Sequence, residues 1–175
     1  LSVPLRHSGA FMKHTKKHIW ASVMIILIVA FDQITKQLAS HFLKAGNVVD
    51  FIPGVVQFRY AENTGIAFSM FSGSRWVFAA LTFLVCAGVL VYMFGNHCKS
   101  LWLYWSLGVV VAGGIGNLID RVLIGYVIDF IEPVFVDFAV FNIADCAVTC
   151  GAVSFVICMV VDMFRKDKGS KSDEQ

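Results

Sequence analysis

Between Trp76 and Phe94 the chain carries no charged side chain, and three further segments come close to that condition. Leu101 to about Leu123 is uncharged until Asp120, and Phe141 to Phe164 is uncharged between Asp145 and Asp162. The run from Ile19 to Phe31 opens a stretch that stays compatible with a helix, through Asp32, to about Leu43. About 20 apolar residues cross the hydrocarbon of a bilayer as a helix, and lipid offers the backbone no hydrogen-bond partner outside the segment. The four segments therefore predict an all-α membrane protein with spans at about 18–40, 76–94, 101–123 and 141–164. A content of 58% hydrophobic and 15% charged residues, with a mean hydropathy of +0.74, would leave a soluble domain of this size with too much apolar surface in water. The net charge of +2 is too small to imply a nucleic-acid partner.

Residues 1–11 precede Met12 and are read as lying ahead of the natural start. From Met12 the basic MKHTKKH and the apolar run after it look like a secretory signal, but no small-x-small cleavage site follows, so the first span is expected to stay in place. Residues 12–166 form one integral membrane domain on this reading, and the polar tail 167–175 is expected to be disordered in the cytoplasm. Lys13, Lys16 and Lys17 precede the first span, Lys99 lies in the link between the second and third, and Arg165, Lys166, Lys168 and Lys171 follow the fourth. The positive-inside rule places these groups, and both termini, in the cytoplasm. The outward ends of spans three and four, with the loop joining them, then meet at the outer leaflet.

The other outward segment runs from about residue 44 to 72. Apolar and polar residues alternate from Val56 to Tyr60 after the turn signal Pro53-Gly54, which predicts a small extracytoplasmic β-sheet and loop over the membrane. Gly108, Ala112 and Gly116 recur every fourth residue in span three and let a neighbouring helix approach closely. The run Gly113-Gly114-Ile115-Gly116 lies in an apolar helix with no strand before it and is not a nucleotide loop. Trp20, Trp76, Trp102 and Trp105 sit near span ends and read as interface anchors. Cys86, Cys98, Cys146, Cys150 and Cys158 are an odd number in mostly apolar runs, so they are expected to pack as small apolar side chains. All five histidines lie outside the apolar cores, and no metal site or other cofactor is expected.

Against this background Asp120, Asp129 and Asp145 are expensive. An acid at the centre of a membrane helix costs about 2.5–3.5 kcal/mol on insertion scales, so acids at membrane depth normally face a protein interior or a wet cavity. Two carboxyl groups held close in a poorly hydrated site share a proton, which creates one acid and one base. The base can take a proton from water attacking a peptide carbonyl while the acid hydrogen-bonds the carbonyl oxygen. Asn117 and Asp120 share a helix face, as do Asn142 and Asp145, and Asp129 lies in a loop able to fold back over the helix ends. Spacing leaves the pairing open between Asp129 with Asp145, Asp120 with Asp145, and a combination using Asp137.

The blocks D32-QITK-36, E62-NTGIAF-68, G116-NLIDR-121, G125-YVIDF-130 and F141-NIADCAVTCG-151 occur in an order and spacing that resemble lipoprotein signal peptidase, the bacterial signal peptidase II family, from about Met12 to Phe164. The resemblance implies a cofactor-free aspartyl endopeptidase of the bacterial cytoplasmic membrane. It would remove signal peptides from prolipoproteins just before a diacylglyceryl-modified cysteine. The catalytic dyad falls on Asp129 and Asp145, and the site-shaping or substrate-holding positions on Asp32, Asn63, Gly65, Asn117, Asp120, Arg121 and Asn142. Lipidated prolipoproteins, membrane lipids and inhibitors of the globomycin type are the expected partners, and a monomer the expected state. Glu62, where many members lack an acidic charge, and Ile66, where a small residue is usual, are departures in the covering loop.

Simpler roles compete with these. An acid near a helix boundary can bond backbone amides, Asp120 can orient neighbours such as Asn117 or Arg121, Asp32 can pair with Lys36, and Asn63-Thr64-Gly65 can be only a turn. Asp137 and Glu132 read as solvated loop charges. The alternative function is a small transporter coupled to protons or ions through its intramembrane acids, but the acids collect at one face and the chain has no obvious internal repeat.

Overall fold

In the computed structural model the elements follow in the order α1 (Ser8–Leu43), β1 (Val48–Ile52), β2 (Val56–Asn63), α2 (Arg75–Phe94), α3 (Leu101–Leu123), β3 (Val127–Pro133) and α4 (Ile143–Ser172). The structure describes residues 8–65, 75–95, 97–98 and 100–172. The expectations for Ile66, for Lys99 and for the chain ends at 1–7 and 173–175 concern positions outside the described residues. Thr15–Leu43, Arg75–Phe94, Leu101–Leu123 and Ile143–Arg165 are each long and apolar enough to cross a membrane.

Helix α3 is the hub of the bundle: it touches each of the other three helices and has the largest buried share. Its small residues allow this. A Cβ on Gly108 would stand 2.8 Å from Met24 of α1, and one on Gly116 would stand 2.6 Å from an Asp32 oxygen and 3.1 Å from Ala144 of α4. Ala21, Ile25, Met93, Tyr104, Val111 and Ala112 fill the space between α1, α2 and α3. Leu27, Phe31, Leu84, Val91, Val156 and Phe164 point outward, where lipid is the solvent. The five cysteines are free; Cys86, Cys98 and Cys158 pack inside, and Cys150 is exposed.

The sheet is antiparallel in the order β1-β2-β3. Strands β1 and β2 form an antiparallel hairpin across the turn signalled by Pro53-Gly54, with Gly54 at φ 74°. The third strand comes from the connection between α3 and α4, which the sequence reads as a loop, so Asp129 lies on a strand rather than in a loop. Val127, Ile128, Asp129 and Phe130 are all buried, so the alternation that marks a half-exposed strand is missing. Glu132, read as a solvated loop charge, also lies on β3. Arg59 of β2 donates to both of its oxygens, at 2.7 and 2.6 Å, and these bonds hold its carboxyl down to about 2. Phe58 and Phe130 pack with Ala39 and Leu43, which seats the sheet on the C-terminal end of α1.

Two helix ends aim the chain at the site. The N–H groups of Ile124 and Gly125 donate to the Asp120 carbonyl, at 2.8 and 3.1 Å, and Gly125 at φ 91° turns the backbone into β3. Helix α4 begins after Asn142 and continues to Ser172, past the boundary at residue 167 where a disordered tail was expected. Extending a helix that is already nucleated costs little.

Candidate active site

Asn142 is the N-cap of α4. Its Oδ1 accepts from the Asp145 N–H at 2.9 Å, and Asp145 Oδ2 accepts from the Asn142 N–H at 3.2 Å. This is a capping box, with the acid three residues into the helix, where a negative charge meets the positive end of the dipole. The bond from Asp145 to a backbone amide, the simple role foreseen for it, is therefore real, but it uses one oxygen only. Asp145 Oδ1 accepts from Asn117 Nδ2 of α3 at 2.7 Å.

Asp129 arrives from β3 and is buried. Its Oδ1 accepts from Asn142 Nδ2 at 2.6 Å and its Oδ2 from Asn63 Nδ2 of β2 at 2.9 Å. Asn142 is thus bonded to both acids at once. Burial pushes the Asp129 carboxyl up to about 6, assisted by the charge of Asp145 and opposed by the bonds from Asn63 and Asn142 and by the charge of Lys36.

Each asparagine is turned by a neighbour that can only donate. The Gly65 N–H donates to Asn63 Oδ1 at 2.9 Å, from a backbone at φ 81° that glycine adopts freely, and leaves the Asn63 amide nitrogen facing Asp129. The Asp145 N–H fixes Asn142 in the same way. For Asn117 the donors are Lys36 Nζ at 2.9 Å and Asn142 Nδ2 at 3.1 Å.

Beneath these residues lies a buried ionic cluster. Lys36 Nζ is 2.9 Å from Asp32 Oδ2 and 3.0 Å from Asp120 Oδ2, with side-chain exposures of 0%, 1% and 5% for Lys36, Asp32 and Asp120. Gln33 Nε2 donates to Asp32, Asp120 and the Gly116 carbonyl, at 3.2, 3.0 and 3.1 Å. Two further bonds reach other elements: Asp32 Oδ1 accepts from Ala144 N of α4 at 2.8 Å, and Asp120 Oδ2, which also faces Lys36, accepts from Ile128 N of β3 at 3.1 Å. Asp32 and Asp120 are therefore enclosed and tie α1 and α3 to the two elements that carry Asp145 and Asp129. Among the described residues, no buried side-chain nitrogen or oxygen lacks a partner.

The structure thus gathers Asp129, Asp145, Asn63, Asn117 and Asn142 in one hydrogen-bonded group, with Gly65 at its edge and Asp32 and Asp120 below. Asp120 pairs with Lys36 rather than with Arg121. Arg121 is half-buried, 3.5 Å from the Asn117 carbonyl and within electrostatic reach of Asp145, Asp129 and Asp120. Asp137 is exposed. Glu62, where the sequence departs from the family pattern, accepts from Lys44 at 3.2 Å and from the Tyr60 hydroxyl at 3.0 Å. Sequence reasoning paired Lys36 with Asp32 but missed its contact with Asn117, and missed Gln33 altogether; the only available signal was their place inside the D32-QITK-36 block.

The profile of a family described as signal peptidase (SPase) II matches residues 24–161. A protein of Streptococcus pyogenes serotype M6 named lipoprotein signal peptidase is 40% identical over 144 residues, covering 82% of this chain and 94% of that one. A Streptococcus thermophilus protein of the same name is 38% identical over 148 residues, covering 85% and 94%. Two solved structures described as a bacterial membrane enzyme superpose with TM-scores of 0.76 and 0.74 at 30% identity. They cover 83% and 79% of this chain and 90% and 91% of their own.

Proposed function

The chain belongs to the signal peptidase II family, multi-pass membrane peptidases that remove signal peptides from bacterial prolipoproteins, and on that premise we propose that Asp129 and Asp145 form its catalytic dyad. The observation that carries this reading is Asn142, which bonds both carboxyl groups while Asn63 and Asn117 hold one each. Two acids on separate elements, one from a strand and one from a helix end, are brought to one polar atom cluster in an otherwise apolar molecule.

In the reaction, the ionised member of the pair takes a proton from water as the oxygen attacks the scissile carbonyl, and the protonated member hydrogen-bonds the carbonyl oxygen. The proton then passes to the leaving amine. Neither step needs a metal or an organic cofactor. The bond cleaved is the one before a cysteine that carries diacylglyceryl, which keeps the substrate anchored in the outer leaflet beside the site. Asn63, Gly65, Asn117, Arg121 and Asn142 hold the acids or the substrate backbone, and Asp32 and Asp120 support them from below. Cyclic peptides of the globomycin type occupy the same place, and the protein acts as a monomer with both termini in the cytoplasm.

The test uses purified protein with one precursor in diacylglyceryl-modified and unmodified forms, read by mass spectrometry in the presence of a strong chelator. The expected result is cleavage of the modified form alone, with the lipidated cysteine as the new N-terminus. A cut elsewhere, or activity lost to the chelator and restored by zinc, contradicts the proposal.

A further inference from the structure

Lys36 carries an ammonium group shut away from solvent in the outward half of α1, and it has three partners: Asp32 Oδ2 at 2.9 Å, Asp120 Oδ2 at 3.0 Å and Asn117 Oδ1 at 2.9 Å. Lysine is almost never fully buried unless paired. The two acids already more than balance its charge, so the third contact is not required for neutrality. Its effect lies in direction. An ammonium can only donate, so the Asn117 atom that faces it is the carbonyl oxygen, and the amide nitrogen is turned the opposite way. There it donates to Asp145 Oδ1 at 2.7 Å. Asn142 also donates to Asn117 Oδ1, at 3.1 Å, but the same nitrogen lies 2.6 Å from Asp129 Oδ1 and 3.3 Å from the Ile128 carbonyl. The nearer ammonium, held in place by Asp32 and Asp120, is the stronger constraint.

We infer that Lys36 is a positioning residue for the peptidase reaction: it fixes which way round the Asn117 amide sits and thereby presents a hydrogen-bond donor to Asp145. Without it, Asn117 is free to turn its oxygen toward Asp145, which sets acceptor against acceptor in a half-buried site. This rests on the assignment of Asp145 to the dyad. It assigns the ammonium no contact with substrate.

A double-mutant cycle of Lys36→Met with Asn117→Ala tests it, in intact purified protein with a diacylglyceryl-modified precursor. Lys36→Met is expected to lower kcat about 10- to 100-fold while KM stays within about twofold, the pattern of lost orientation rather than lost binding. In the Asn117→Ala background the same change is expected to cost less than about threefold, because the group through which Lys36 acts is gone. Equal losses in both backgrounds overturn the inference, as does a change confined to KM. If Lys36→Met yields no folded protein, Lys36→Met with Asp120→Asn, which keeps the native net charge of the cluster, takes its place in the cycle against Asp120→Asn. Failure of that protein to fold also overturns the inference, since it makes Lys36 a residue of folding. An additive cycle alongside an inactive Asp145→Asn leaves the dyad standing, whereas an active Asp145→Asn removes the dyad itself.

Discussion

At the scale of single residues, the site is three asparagines turned toward two acids. Asn63, Asn117 and Asn142 each have their oxygen taken by a group that can only donate, so each offers its nitrogen to a carboxylate. That arrangement has a pH consequence. Burial raises Asp129 to about 6, and the bond from Asn63 opposes the rise. Below that value Asp129 keeps its proton and above it Asp129 gives the proton up, so kcat/KM is expected to fall as pH rises through about 6 if Asp129 is the proton donor of the proposed pair. A bound substrate segment that deepens the burial is expected to move the alkaline limb of kcat higher. Asn63→Ala removes a bond that favours the charged form, so the limb of the residual activity should shift to higher pH. A shift to lower pH in the measured profile would show that Asn63 does not act on Asp129.

At the scale of elements, the helices were legible and the site's third strand was not. Lipid forces every uncharged stretch of about 20 residues into a helix, which is why Arg75–Phe94 and Leu101–Leu123 appear almost where composition puts them. Strand β3 is buried on both faces and pairs with β2, whose Ala61 opposes Asp129 from far back in the chain, so no local pattern announces it. Lys36 was hidden in the same way: a Lys four residues after an Asp looks like an ordinary helix pair, and only the approach of α3 makes it a junction. That approach depends on Gly116. A methyl group there would stand 2.6 Å from Asp32 Oδ2 and 3.1 Å from Ala144. Gly116→Ala is expected to destabilise the protein by about 1–3 kcal/mol through overpacking and to push Asp32 off the α4 amide. Thermal unfolding in detergent would register this as a lower midpoint, and an unchanged midpoint would show that α1 and α4 are not held so closely.

At the scale of the molecule, an apolar bundle carries a polar core at the end where the sheet sits, and the topology proposed from the charge bias around the spans has that end outside. The three costly acids are thereby placed together: Asp145 at the start of α4 and Asp129 on β3 form the proposed pair, and Asp120 of α3 meets Lys36 of α1 and the Ile128 amide of β3. A fluorescent-protein fusion after residue 175 should be bright, since such a protein matures in the cytoplasm, and an alkaline phosphatase fusion at the same point should be inactive. The opposite pair of results would invert the topology. The central claim is that Asp129 and Asp145 perform the cleavage as a pair. Its most direct test is the turnover of a diacylglyceryl-modified precursor by Asp129→Asn and by Asp145→Asn, each shown to be folded by its unfolding midpoint. Both are expected to lose at least about a hundredfold in kcat, since each removes a proton-transfer group. Near-native turnover by either folded variant would contradict the dyad.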